Sequence, residues 1–139
     1  MRRERGHAPA IEAAIIIPGI LLVVGVIVVL AHVVLARQEL HAVASSAARA
    51  AALERSWSNA EQQAAEVIDR GLGESGLACT ERGVVVASSG GSAPLGEEST
   101  VTVRLRCTVE LSDVSLPLLP GSTTIEVETV SPVDRFRAR

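Results

Sequence analysis

The chain has 139 residues, a formal net charge of −3 and an aromatic fraction of 1%. All 13 basic residues are Arg, which fits the coding bias of a GC-rich genome, and the acidic balance gives no polyanion signal, so no nucleic-acid partner is expected. With one Trp, one Phe and no Tyr, any folded core must be thin and built from Val, Leu, Ile and Ala.

Residues 1–12 form a basic leader, MRRERGHAPAIE, and residues 13–36 an unbroken apolar run, AAIIIPGILLVVGVIVVLAHVVLA. At ~1.5 Å per residue such a helix reaches roughly 35 Å, enough to cross a hydrocarbon core of ~30 Å with some tilt. A single-pass membrane protein in contact with lipid is therefore expected. Arg2, Arg3 and Arg5 crowd the leader, whereas the far flank opens with Arg37 balanced by Glu39. This asymmetry predicts a cytoplasmic N-terminus in the cell membrane and an extracytoplasmic remainder. Val34-Leu35-Ala36 satisfies a small-residue cleavage rule, but the run exceeds the ~7–15 residues of a signal h-region, and an uncleaved anchor is the expectation.

Three residues of the run stand out. Glu12, at its edge, suits the positive end of the helix dipole and can snorkel to water; its functional reading is pairing with a positive charge from another protein. Pro18 withholds a hydrogen bond from Ala14 and, with Gly19, is predicted to kink the helix. His32 sits near the outer end, within reach of interfacial water or a partner helix.

Beyond the run, Leu40, Val43, Ala47, Ala50, Leu53, Trp57, Ala60, Ala64 and Ile68 recur every three or four residues. The spacing predicts an amphipathic extracytoplasmic helix over residues 37–72, continuous with the span as one long stalk. Its end is marked by GLGESG, residues 71–76, which tolerate the left-handed conformation that closes helices. Ala44, Ala48 and Ala52 suit either a neighbouring helix or an overlying sheet.

Residues 73–139 change period and read as a small β head with a loose C-terminal tail. Val101, Val103, Leu105, Cys107, Val109 and Leu111 alternate with polar residues, the pattern of a strand with one buried face. Residues 77–88 read as its partner, with SSGGSAPLGEES as the turn-rich connection, and residues 123–130 as a third strand after the LPLLPG connection. The fold class expected is α+β: a long N-terminal helix, transmembrane and continuing outside, packed on a small three-stranded antiparallel sheet, with Trp57 packing against that sheet.

Both cysteines, Cys79 and Cys107, fall outside the membrane, where a disulfide is permitted. A register that sets Val85 opposite Val101 also sets Cys79 opposite Cys107, and the bond is expected there. No catalytic constellation emerges. His7, His32 and His41 all lie outside the β head, so no triad or metal site is expected, and no Gly-rich phosphate loop is present. No enzyme activity, cofactor or small-molecule substrate is therefore expected.

The run RERGHAPAIEAAIIIPGILLVV resembles the N-terminus of TadE-like proteins of tight-adherence (Flp-type) pilus systems. In that family a basic leader ending in Gly precedes a Glu and, six residues after it, a Pro, and Glu12 and Pro18 keep that spacing. ELHAVASSAARAAAL is similar to the family's small-residue helix, and LPLLPGSTTIEVETVSPVDRFR to an ending common in its members. The resemblance implies a minor pseudopilin that assists pilus assembly, partnered by other pilin-like subunits and by a prepilin peptidase cutting between Gly6 and His7. Glu12 is the sixth residue after Gly6 where the family usually has Glu at the fifth. A reading outside that family is a permanently anchored extracytoplasmic binding module.

Overall fold

The structure is a computed structural model that describes residues 7–89, 99–110 and 121–134. The leader residues Arg2, Arg3, Arg5 and Gly6, most of both interstrand connections and the end of the tail lie outside the described residues. Five elements follow in order: α1 (His7–Leu53), α2 (Trp57–Ser75), β1 (Glu81–Ser88), β2 (Ser99–Glu110) and β3 (Ser122–Val133). The class is α+β, as the two periodicities predict.

The expected single stalk is instead a helical hairpin. α1 ends at Leu53, the Glu54 N–H donates to the Ala51 carbonyl at 3.2 Å, and Ser56 leaves the helical region (φ −120°, ψ 146°) to cap α2. Its hydroxyl accepts from the Asn59 N–H at 3.3 Å, replacing one of the bonds a helix start leaves open. Glu54, Arg55 and Ser56 amount to nearly one turn, so the apolar spacing keeps its phase across the break. Folding back lets each half bury its apolar stripe against the other: Ala44, Ala47, Ala48 and Ala51 of α1 and Ala60, Ala64 and Ile68 of α2 are all fully buried. Trp57 opens α2 and packs, partly buried, against the common core. α2 passes through Gly71 and Gly73, and Gly76, with φ 68°, closes it in the left-handed region.

The sheet is antiparallel in the order β1-β2-β3. Val101, Val103, Leu105 and Cys107 of central β2 are fully buried, joined by Ile125 and Val127 of β3. α1 is the central element of the fold, packing on α2, β2 and β3, while α2 meets the sheet mainly at β1, where Arg82 pairs with Asp69. The small residues of α1 are thus consumed within the chain, by α2 and the sheet.

The β1 register differs from expectation. Ser88 faces Val101 and Val85 faces Arg104, a shift of three places that turns Val85 outward, where it is 55% exposed. The observed pairing brings Val84 and Val86 onto the core face, two valines where the expected one would bury a single valine. β1 also begins at Glu81, so Cys79 precedes the strand. β3 continues through Pro132, which an edge strand tolerates because it needs only one pairing partner.

Candidate functional site

The feature that distinguishes the molecule is the first half of α1. From Glu12 onward it carries large apolar side chains on all sides: Ile15, Leu21, Leu22, Leu30 and Leu35 are each more than half exposed. It contains an apolar window of mean hydropathy 3.1, none of which is buried within the chain, so it is long and apolar enough to cross a membrane. A helix apolar on every face and uncovered by its own chain needs an apolar surrounding.

Glu12 stands exposed at the start of this surface, six residues before Pro18. α1 runs without interruption through Pro18 and Gly19, and an added Cβ at Gly19 would meet nothing within 4 Å. His7, the residue after the candidate cut, is the first of α1, whereas Gly6 lies outside the described residues. His32 donates from Nδ1 to the Val28 carbonyl at 2.8 Å, which satisfies one ring nitrogen within the helix. His41 is exposed on α1, away from both cysteines in sequence. Among the described residues, no group of three His, Cys, Asp or Glu side chains is arranged to hold a metal ion.

Cys79 and Cys107 are disulfide-bonded, with α-carbons 5.3 Å apart. Cys79 reaches Cys107 from the segment leading into β1, and Arg82 occupies the position directly opposite Cys107. The bond holds that lead-in against the central strand, helped by the Thr80 N–H donating to the Thr108 carbonyl at 2.8 Å.

The outer face of the sheet carries a charge ladder that the sequence reading did not pair. Arg104 faces Glu128 at 2.5 Å and Arg106 faces Glu126 at 2.7 Å, with Arg104 also 3.5 Å from Glu126. The hydrogen bond and charge of Arg106 hold the Glu126 carboxyl below the ordinary carboxylate range, and Glu128 holds Arg104 above its usual value. The signal was available as Arg-x-Arg in one strand and Glu-x-Glu in the next, because alternate residues share a face.

Residues 10–54 match the family described as "Putative Flp pilus-assembly TadE/G-like". No curated protein and no solved structure matches the chain. The match takes in Glu12 and Pro18 and ends at the helix break; α2 and the sheet fall beyond it. It is along α1, from just before Glu12 to the turn at Glu54, that the chain is similar to TadE/G-like proteins of Flp pilus assembly.

Proposed function

We propose that the chain is a pilin-like, minor-pseudopilin subunit that takes part in assembling a tight-adherence type pilus or a related secretion apparatus. The observation that carries this reading is the coincidence of the family match over residues 10–54 with an uncovered apolar helix that carries Glu12 and Pro18. In this reading α1 anchors the subunit in the cell membrane with its N-terminus in the cytoplasm and the β head outside. The disulfide supports an extracytoplasmic head, since such bonds persist in oxidising compartments. The role is structural and not enzymatic: the partners are other pilus components, and a prepilin peptidase that cuts between Gly6 and His7. Glu12 at the apolar edge then gives a neighbour's new amino terminus a carboxylate to pair with, a contact that strengthens as water is excluded.

Two measurements test the proposal. N-terminal sequencing of protein recovered from membranes is expected to begin at His7; an intact leader overturns processing. Glu12→Ala is expected to insert normally in membranes yet disappear from isolated assembled complexes, and wild-type incorporation of that variant would sink the pairing role.

A further inference from the structure

α1 leaves no stalk between its apolar run and the folded head. Val33 and Ala36, inside the run, already pack against the head core, and Leu40 is fully buried. Ala13 to His32 rises about 30 Å at ~1.5 Å per residue, the thickness of a hydrocarbon core. A span of that extent sets Glu12 at one boundary and His32 at the other. The headgroup layer beyond it is roughly 5–7 Å deep, the rise of about one turn, so the head begins within that layer.

The path of the chain decides which end of the head is there. α2 returns antiparallel to α1, because its Gly71 lies against Val43 while the connecting turn follows Leu53. Its Ser75 end therefore comes back toward the apolar run. Arg82 of β1 pairs with Asp69, more than a turn back along α2, so β1 climbs away from that end. β2 descends toward it and β3 leaves from it, with Glu110 opposite Ser122 and Thr80 bonded to Thr108. Ser89, Thr100 and Pro132 mark the far end.

Resting on the reading of α1 as a membrane anchor, we infer that the head is seated at phospholipid headgroups with the sheet end that carries Thr80, Thr108, Ser122 and Thr124 toward the bilayer. Ser122 and one of the Thr108 and Thr124 hydroxyls, which bond each other at 3.0 Å, have a donor for phosphate and ester oxygens, while the Thr80 hydroxyl donates to the Thr108 carbonyl; Arg37, exposed on α1 just past the run, supplies a cation at the same depth. The surface is continuous with the span, so seating it exposes no further apolar area to water.

The test uses the full chain with its native disulfide, reconstituted in vesicles of phosphatidylcholine and phosphatidylglycerol. Single cysteines introduced as Ser122→Cys, Pro132→Cys and Val24→Cys are labelled with a fluorophore and quenched by nitroxide lipids. Ser122 and Pro132 both lie exposed on the outer face of β3, roughly 33 Å apart along the strand. A headgroup nitroxide is expected to quench the Ser122 label several-fold more than the Pro132 label, while an acyl-chain nitroxide quenches Val24. Equal quenching at the two strand positions, or stronger quenching at Pro132, overturns the seat while the Val24 result preserves the anchor. Absence of acyl-chain quenching at Val24 overturns both. Should Ser122→Cys fail to fold, Thr124→Cys reports on the same end of β3.

Discussion

Gly71 sets how closely α2 lies along α1. A Cβ built there would stand 2.8 Å from Val43 Cγ2 and 3.0 Å from Val43 Cγ1, and a short β-branched side chain has little freedom to withdraw. Gly71→Ala gains up to ~1 kcal/mol of helix propensity but meets an overpacking cost of ~1–3 kcal/mol. A net loss of about 1 kcal/mol is expected, turning into a gain when Val43→Ala is present, because the obstacle is then gone. Gly73 has nothing within 4 Å, so Gly73→Ala is expected to stabilise by ~0.5–1 kcal/mol. Thermal unfolding of the full chain in detergent micelles measures all three. The three glycines of residues 71–76 read alike in sequence as a helix stop, yet only Gly76 serves as one. What separates them is the side chain opposite, and that neighbour comes from a helix some thirty positions away.

At the level of elements, β2 and β3 are joined by more than their backbone ladder. Arg104, Arg106, Glu126 and Glu128 pair across the exposed face, Arg104 with Glu128 and Arg106 with Glu126 directly cross-strand and Arg104 with Glu126 on the diagonal. Glu126 has a folded pKa below its unfolded value, so its pairing contributes stability above ~4.3 and loses it as pH falls through the folded value. Glu126→Gln is therefore expected to flatten the acid side of the stability profile below about pH 4.3 and to change little near neutrality, where the exposed pair is screened by solvent and salt. Equilibrium unfolding at a series of pH values, with and without added salt, checks this. An acid limb unchanged by the substitution would show that the pairing carries no pH-dependent stability. The strands themselves were legible from their period of two, since one face of each meets the core. Their register was not, because alternation leaves the offset between strands open until the covering helix selects which valines go inside.

For the whole molecule, the disulfide closes the path from the end of α2 through β1 to the central strand, a separation of 28 residues. A closed loop of this size is worth ~3–4 kcal/mol on the chain-entropy view, against ~5–15 kcal/mol for an entire domain. The core is built of Ala and Val with few larger side chains, so this share is decisive. The double change Cys79→Ala with Cys107→Ala is expected to lower stability by about that ~3–4 kcal/mol. Reduction of the wild-type chain should reproduce the loss. Urea unfolding in micelles, with and without reductant, measures both; a wild-type midpoint insensitive to reductant would remove the disulfide from the account.

The sequence by itself determined the elements and their chemistry: an apolar run with Glu12 and Pro18 at its start, a helical stripe after it, strands of period two and two cysteines to join. Each of these is a local pattern, and local patterns follow from the geometry of a single helix or strand. Only the tertiary structure decided that the stripe belongs to two helices, that β1 pairs three places from the expected register, and that the head starts inside the end of the apolar run. The reason is physical. A three-residue break preserves helical phase, a strand's alternation is blind to its partner, and the reach of the head along α1 depends on side chains far away in the chain. Periodicity says which face is buried, and packing alone says against what.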